Sequence, residues 1–407
     1  MAAKQILKAI LRRVPPLKQL LARMHNLESS LRADLYARDL TVIEHQRLLE
    51  DLQARIADSQ QRFDQQQEQY RHQCSALATL KDSVQVLQNE GCKVTDARVA
   101  TVDGQISDIY CRLSAMDQDI SYRFEMGLHR DDYRRALEDW YYSRTHLRLD
   151  LDNPQTFNEK IQWLKLYDST PIKTRLSDKF LVRDWVCKTV GRKYVTPLLG
   201  VWDDFDAIDF DTLPKRFVLK ATHGSGWNMI VKDKSSFQPS VAKFKFDAWM
   251  RTNFAFWAGL ELHYVNIQPR IIAETYLEND GGDLPDYKVW CFDGEPHYVM
   301  LVVGRATGAR KAFYDLDWAL QSFVYDHPRL EETVPRPDNL QEIIELAREL
   351  SRGFCHSRVD IYRLDDGSLR FGEITFTSSS GIAKWNPRSA DLAMGRLLTL
   401  PDRGSER

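Results

Sequence analysis

Two acidic residues of this chain are spaced so that a single β-hairpin would bring them together. The hairpin is the segment Arg358–Gly381, RVDIYRLDDGSLRFGEITFTSSSG. Its Asp366-Gly367 pair predicts a two-residue type I′ turn, because both central residues of that turn need a positive φ. The resulting register puts Asp360 directly opposite Glu373, with their Cβ atoms about 4.5–5.5 Å apart on one face of the hairpin.

This pairing predicts a metal site. Two adjacent carboxylates destabilise a hairpin unless a cation neutralises them, and Mg²⁺ in nucleotide-binding proteins takes one or two carboxylates together with phosphates. The same register puts Arg358 opposite Thr375, where the guanidinium would meet phosphate oxygens or pair with one of the acids. A solvent-exposed charged face of a hairpin is the alternative interpretation.

A second segment has the composition of a phosphate-binding loop. Phe217–Lys232, FVLKATHGSGWNMIVK, predicts a strand ending in Lys220, a loop of small residues and a second strand. Gly224, Ser225 and Gly226 would let backbone N–H groups approach a polyphosphate closely. The loop is not a Walker A loop, because no Gly-Lys-Ser/Thr follows. An ordinary turn is the alternative, but a lysine on an apolar strand needs an anionic partner and favours the phosphate.

Composition places the chain among ordinary soluble proteins and excludes several classes. The net charge of −2 gives no support for nucleic-acid binding. The six cysteines are scattered without Cys/His metal spacing, which is typical of reduced cytosolic thiols. No apolar run approaches the roughly 18 residues that span a bilayer, and no signal peptide is evident. We therefore expect a cytoplasmic protein.

The first 14 residues, MAAKQILKAILRRV, have the pattern of a short basic amphipathic helix. Ile6, Leu7, Ile10 and Leu11 fall on one side of it, and the basic residues fall elsewhere. Such a helix either contacts a membrane surface or forms an ordinary frayed terminus.

Residues 15–125 predict a coiled coil. One seam repeats every seven residues and is broken only by Glu28; its apolar members are Leu21, Leu35, Val42, Leu49, Ile56, Phe63, Tyr70, Leu77 and Val84. Sustained apolar heptads of this kind join helices into oligomers, so we expect a homo-oligomer of unspecified strand number. A rod that docks a partner, or helices that fold back on themselves, are the alternatives.

The remaining chain, from about Asp131, predicts an α+β fold. Residues 131–215 contain three helical patterns, DYRRALEDWYYSRTHLRLD, FNEKIQWLKLYD and LSDKFLVRDWV. Strand patterns dominate from Phe217 onward, with further helices over Val241–Leu260 and Asn339–Arg352. This order of elements is typical of antiparallel hairpins packed with helices.

Several short motifs in a fixed order resemble one family. LSDK, FVLKATHGSG, AETYLE, DYKVWCFDGEP, VDIY and FGEITFTSSSG are similar to motifs of the TupA-like branch of the ATP-grasp superfamily, and FNEKIQWLKLYD is similar to that branch's leading motif. The resemblance covers roughly residues 135–400. It implies an ATP-grasp fold preceded by the coiled coil, with 131–215 as the N-terminal lobe and 216–400 as the nucleotide-binding and catalytic lobes.

The resemblance implies a function as well as a fold. Most ATP-grasp enzymes use MgATP to join a carboxylate to an amine through an acyl-phosphate, and the TupA-like branch occurs in bacterial surface-polysaccharide loci. We therefore expect ATP and Mg²⁺ as cofactors, and amidation by an amino acid of a uronic-acid carboxyl on a polysaccharide or nucleotide-sugar substrate. A sugar phosphotransferase, a glycosyltransferase-like enzyme on the same scaffold and a non-catalytic coiled-coil assembly protein are the alternatives.

The resemblance also assigns nucleotide contacts. Two lysines match those that touch the ATP phosphates and the adenine side, the glycine loop matches the one that closes over phosphates, and a hinge after an acidic residue would meet adenine. A further acidic residue lies near the ribose position. The implied residues are Lys179, Lys220, Gly224, Ser225, Gly226, Glu274, Tyr276, Leu277 and Asp286.

Catalytic and metal roles follow in the same way. Lys288 occupies the place of a phosphate-facing basic residue, Arg305 is a second basic clamp, and Arg358 joins them from the hairpin. For the metal, the resemblance implies Asp360 and Glu373, with Thr375 standing where many ATP-grasp enzymes have asparagine.

Other side chains near these motifs have weaker assignments. Ser378–Gly381 would present hydrogen-bond donors to an acceptor carboxylate, or would be a plain turn. His223 would be a general base, and Trp227 and Trp385 would stack on sugar rings, although packing is the commoner use of such residues.

Overall fold

A computed structural model describes residues 126–280, 284–304, 310–326, 330 and 334–402 of the chain. The chain divides into two compact units, residues 1–119 and 120–407, and the described residues belong to the second. The predicted basic helix and coiled coil lie outside the described residues, as does Arg305. The division into lobes at residue 215 remains a prediction.

Seven α-helices and eleven strands are present in the described part. The helices α1–α7 are Tyr133–Thr145, Phe157–Tyr167, Pro171–Ser177, Leu181–Thr189, Pro239–Arg251, Leu340–Ser351 and Ser389–Leu397. The strands β1–β11 are Leu198–Trp202, Phe217–Ala221, Asn228–Val231, Ile271–Thr275, Asp286–Phe292, Glu295–Val303, Arg310–Tyr314, Val324–Tyr325, His356–Arg363, Leu369–Thr375 and Trp385–Asn386.

These strands form three sheets, and every paired neighbour is antiparallel. The first sheet has the order β1-β4-β2-β3, the second β10-β9-β5-β6-β7, and a small third sheet pairs β11 with β8. The predicted α+β class is therefore confirmed.

The second sheet is covered on both faces, and this decides where its polar residues lie. Tyr287, Val289 and Cys291 of β5 pack into a core with helices α4 and α6. Trp290 and Phe292 point to the opposite face, into a core with α2 and α7. Since side chains alternate along a strand, Lys288 shares this second face with Trp290.

The hairpin turn differs from the predicted two-residue type. The Leu364 amide donates to the Ser368 carbonyl and the Gly367 amide donates to the Leu364 carbonyl, both at 2.9 Å. Gly367 has φ +80°, but Asp366 is not in the left-handed region, so the loop has three residues and not two. A bulge at Gly372 then shifts the register by one residue, and the predicted pairs Asp360–Glu373 and Arg358–Thr375 are formed.

Two predicted helices are also wrong in extent. The helix predicted over Val241–Leu260 ends at Arg251, because Thr252 is extended and the Asn253 side chain caps a separate short 3-10 turn. The LSDKFLVRDWV pattern is broken into α3 and α4, because Asp178 is extended and its carboxylate accepts the Phe180 and Leu181 amides at 2.8 and 3.2 Å.

Candidate nucleotide site

The second sheet gathers the predicted catalytic and metal residues, apart from Arg305, into two adjacent rows. Lys288, Asp360 and Glu373 lie side by side across β5, β9 and β10. Trp290, Arg358 and Thr375 form the next row. The two rows are two residues apart along each strand, so they occupy the same face of the sheet.

Arg358 is the centre of the polar contacts on this face. Its Nε donates to Asp360 Oδ1 at 2.7 Å, and its Nη2 donates to Asp360 Oδ2 at 2.9 Å. The same Nη2 lies 3.3 Å from Glu373 Oε1 and 3.2 Å from Thr375 Oγ1. Lys288 also donates to Asp360, and its Nζ is 2.8 Å from Asp286 Oδ2.

These contacts correct one step of the sequence argument. The repulsion between Asp360 and Glu373 is relieved by Arg358 and Lys288, so the pairing by itself does not require a metal. Burial alone would raise the pKa of Asp360, but Arg358 and Lys288 hold it below its usual value. Asp286 is fully buried at 0% exposure. It therefore supports Lys288 in this structure, and its contact with ribose remains a prediction.

The first sheet contributes a second cluster of charges. Lys220 Nζ lies 2.5 Å from Glu274 Oε2, a diagonal contact between β2 and β4. Glu274 also accepts from Arg183 on α4, whose guanidinium donates to the Thr196 carbonyl as well. Sequence analysis missed Arg183, because it lies on an ordinary amphipathic helix pattern and its partner is 91 residues away.

Lys179 connects the helical part of the chain to the glycine loop. It lies in the break between α3 and α4, where its amide donates to the Thr222 carbonyl at 3.1 Å and its Nζ donates to the Gly224 carbonyl. Burial lowers the pKa of Lys179, and the nearby Glu373 counteracts that effect. The charge of Glu373 therefore acts on Lys179 as well as on Arg358, which links the two clusters electrostatically.

The glycine loop is shaped by a tryptophan. A Cβ atom at Gly224 would lie 2.4 Å from the Trp227 ring, and Gly226 has φ +72°. Trp227 is buried and stacks on Trp249 with ring centroids 6.1 Å apart. His223 is also buried, with Nε2 2.9 Å from the Trp249 carbonyl oxygen. Both side chains are thus used in packing, which does not favour sugar stacking or general-base duty for them.

Tyr276 and Leu277 follow β4 directly, beside Glu274. The Arg216 guanidinium lies 5.7 Å from the Tyr276 ring centroid. The position agrees with a hinge, and the adenine contact of this backbone remains a prediction.

Asp360 and Glu373 fit a metal ion only if further ligands come from the substrate. Among the described residues, no group of three or more histidine, cysteine or acidic side chains is arranged to hold a metal ion. Asp360 and Glu373 supply two hard oxygen donors, which suits Mg²⁺ when substrate phosphates complete its coordination. Glu373, at 35% side-chain exposure, is the more accessible of the two.

A family model described as TupA-like ATPgrasp matches residues 159–399. No curated protein matches the chain. No helix in the described ranges has the length and apolar character needed to cross a membrane.

The solved structures that match the chain resemble it only weakly. D-alanine–D-alanine ligase from Bacillus anthracis, complexed with ATP, is 17% identical over 54% of this chain and 61% of its own, with a TM-score of 0.31. L-amino acid ligase from Bacillus licheniformis is 12% identical over 52% and 46%, with a TM-score of 0.34. N5-carboxyaminoimidazole synthetase from Staphylococcus aureus is 14% identical over 49% and 44%, with a TM-score of 0.29. This chain spans less than two thirds of each of them, and likeness at this level carries no information on substrates.

The family match, by contrast, extends over most of the described fold. Residues 159–399 make up more than half of the 407-residue chain and include both charge clusters and the glycine loop. The chain belongs to the TupA-like ATP-grasp family.

Proposed function

We propose that this protein is an ATP-dependent carboxylate–amine ligase that amidates a uronic-acid carboxyl of a bacterial surface polysaccharide with an amino acid. One observation supports it most. The Glu373 carboxylate of the second sheet lies 3.3 Å from Arg358 Nη2 and acts electrostatically on Lys179, whose Nζ donates to the Gly224 carbonyl of the glycine loop. A polyphosphate with a divalent cation matches such a mixed set of charges.

The residues of this site divide by task. Lys179, Lys220 and the loop Gly224–Gly226 would bind the phosphates, and Asp360 with Glu373 would hold Mg²⁺. The metal, when bound, neutralises phosphate charge. Thr375 would assist through its hydroxyl, which lies 3.5 Å from Glu373 Oε1.

The proposed reaction has two steps. A carboxylate oxygen of the acceptor attacks the γ-phosphorus of ATP, and the bond to ADP breaks. The amine nitrogen then attacks the acyl carbon, the C–O bond to phosphate breaks, and the nitrogen loses a proton. Lys288 and Arg358 would act by positioning and by charge stabilisation, which account for most of the catalysis in phosphoryl transfer.

The polysaccharide substrate and the amine rest on the family resemblance alone. Residues 15–125 would join copies of the chain into an oligomer, and residues 1–14 would contact the inner face of the cytoplasmic membrane. Deleting residues 1–14 and fractionating cells tests the membrane contact, which is lost if the proposal is right.

Calorimetry with MgATP tests the nucleotide site. The wild type should bind with micromolar affinity in the presence of Mg²⁺. Glu373→Gln should weaken binding by on the order of tenfold or more, since even indirect partners of a bound metal are worth that much. Glu295→Gln is the matched control, because Glu295 is exposed and pairs with Arg348 away from the site. Well-folded wild-type protein that does not bind MgATP would overturn the proposal.

Product analysis then separates the ligase from its closest alternative. ADP release that requires both a uronic acid and an amino acid supports the ligase. A stable phosphorylated sugar formed without an amine would show a phosphotransferase instead.

A further inference from the structure

A strained turn follows the strand that carries Glu373 and Thr375. Ser379 has φ 45° and ψ 34°, Ser380 has φ 52° and ψ 20°, and Gly381 has φ 67°. Two consecutive non-glycine residues in the left-handed region are unfavourable by themselves, so the surrounding structure must hold them there.

Gln162 on α2 is the side chain that holds this turn. Its Nε2 donates to the Ser380 carbonyl at 2.9 Å and to the Gly381 carbonyl at 2.8 Å. Gln162 is fully buried, and a Cβ atom added to Gly381 would lie 2.4 Å from its Nε2. Its Oε1 has no hydrogen-bond partner among the described residues, so the two bonds to the turn are what orient the amide.

Two neighbours of Gln162 on α2 contact the same region. Asn158 Nδ2 donates to the Ala383 carbonyl at 2.8 Å. Lys165 Nζ lies 3.4 Å from the Ala258 carbonyl, which also accepts the Ser380 hydroxyl at 2.6 Å. Positions 158, 162 and 165 share one face of a helix. We call these three residues the α2 polar stripe.

The turn reaches the catalytic face of the second sheet. His356 lies two residues before Arg358 on β9, so the two side chains share one face of the sheet. His356 Nε2 lies 3.4 Å from the hydroxyl oxygen of Ser378, which directly precedes the turn. The lysines assigned to the nucleotide contact other elements, with Lys179 on the Gly224 carbonyl and Lys220 on Glu274.

We propose that the α2 polar stripe, centred on Gln162, is a positioning device that holds the turn Ser379–Gly381 in its left-handed conformation beside Arg358. Under the function proposed above, on which this part rests, the stripe determines the geometry of the acceptor-binding side of the site and does not affect the nucleotide-binding side. It gives a role to FNEKIQWLKLYD, the motif that the nucleotide site does not use.

The first test is Gln162→Leu in the full chain. This substitution removes both hydrogen bonds to the turn and puts an apolar side chain of similar size in the place of glutamine. Amide hydrogen exchange in residues 377–383 should become faster by on the order of tenfold, as expected when buried hydrogen bonds are lost locally. The Kd for MgATP should stay within about twofold of the wild type. Gln341→Leu makes the same change at an exposed position of α6 and should leave exchange in residues 377–383 unchanged. Unchanged exchange in Gln162→Leu overturns the proposal.

A rescue experiment separates positioning from simple core filling. Glycine adopts a positive φ without strain, so Ser379→Gly relieves the need for Gln162. Ser379→Gly should raise the Tm of Gln162→Leu by more than it raises the Tm of the wild type. Equal effects in the two backgrounds would mean that Gln162 only fills space, and would overturn the proposal.

Turnover tests the acceptor side directly. With D-glucuronate or D-galacturonate and an amino acid as probes, Gln162→Leu should raise the KM for the acid and leave the KM for ATP unchanged. Equal increases in both constants would contradict the assignment to the acceptor side. A wild type without turnover on any acid would count against the proposed function, and exchange and melting would still decide whether Gln162 holds the turn.

Discussion

Asp360 and Glu373 face each other across one hairpin, but their surroundings are different. Asp360 is 1% exposed, and both of its oxygens are bonded to Arg358 or Lys288. Glu373 is 35% exposed and has one long contact with Arg358. Removing the first charge leaves the buried Arg358 and Lys288 without their main partner, whereas removing the second leaves Arg358 still paired with Asp360.

We therefore expect the two carboxylates to differ in their effect on stability. Asp360→Asn should lower the free energy of unfolding by about 3 kcal/mol or more, as breaking a buried ion pair does. Glu373→Gln should lower it by less than about 1 kcal/mol, because Glu373 is partly exposed and Arg358 keeps its two bonds to Asp360. Urea denaturation of both variants at pH 7 measures the difference.

A control variant and a contradicting outcome belong to that experiment. Glu295→Gln, which removes the exposed partner of Arg348, should match Glu373→Gln in stability. Equal destabilisation by Asp360→Asn and Glu373→Gln would contradict this argument, because it would show that burial of Arg358 and Lys288 does not depend on their pairing with Asp360. The result also decides how to test metal binding, because Glu373→Gln keeps the fold and is the better variant for that purpose.

Residue pairs within one hairpin could be predicted from the sequence, and distant pairs could not. The Asp360–Glu373 register depends on local alternation, and it was right although the turn type was wrong, because the bulge at Gly372 compensated for the longer loop. Arg183 and Gln162 carry no local signal, since their partners lie 91 and more than 200 residues away. Their roles follow from tertiary packing alone.

At the scale of elements, helix α2 shows how a local signal and a distant contact combine. Thr156 and Glu159 form a capping box that fixes the start of the helix, and this pattern is visible in the sequence. The backbone N–H of Asn158, in the first turn of α2, donates to Asp391 Oδ1 of α7 at 3.0 Å. That contact joins two helices 233 residues apart and buries a carboxylate at the start of both.

Burial of Asp391 predicts a pH-dependent contribution to stability. Burial raises its pKa from 3.8 to about 6, although the Asn158 amide counteracts this. The folded chain therefore binds this proton more tightly than the unfolded chain does, so its contribution is greatest below about pH 4 and is lost as the pH rises to about 6. A shift of this size corresponds to about 3 kcal/mol.

Asp391→Asn should remove this dependence while keeping an oxygen to accept the Asn158 amide. Relative to the wild type, the variant should gain up to about 3 kcal/mol in free energy of unfolding between pH 4 and pH 8. Urea denaturation of both proteins at each pH measures the gain, and the difference in free energy of unfolding from the wild type removes the effect of other titrating groups. Asp317→Asn, on an exposed residue, should show no such gain. A constant difference between Asp391→Asn and the wild type would contradict the argument.

At the scale of the whole molecule, the family match and the heptads cover different parts of the chain. The match begins at residue 159, whereas the seam lies within residues 15–125. Both charge clusters of the candidate site, from Lys179 to Thr375, lie within the match. Nucleotide binding should therefore not require oligomer formation. Oligomer formation through the heptads should likewise not require the nucleotide site.

This independence can be tested in the full chain with charges placed in the seam. Leu49→Asp with Ile56→Asp puts carboxylates at two successive positions of the apolar series, where desolvation and repulsion oppose helix association. Ala54→Asp with Gln61→Asp adds the same charge at heptad positions that face away from the seam, and serves as the control. Light scattering should show an oligomer for the wild type and the control, and a lower mass for the seam variant. All three should bind MgATP with the same Kd by calorimetry, because the nucleotide residues lie in one chain. Loss of MgATP binding in the seam variant alone would mean that association between chains completes the site, and a monomeric wild type would mean that the heptads pack within one chain.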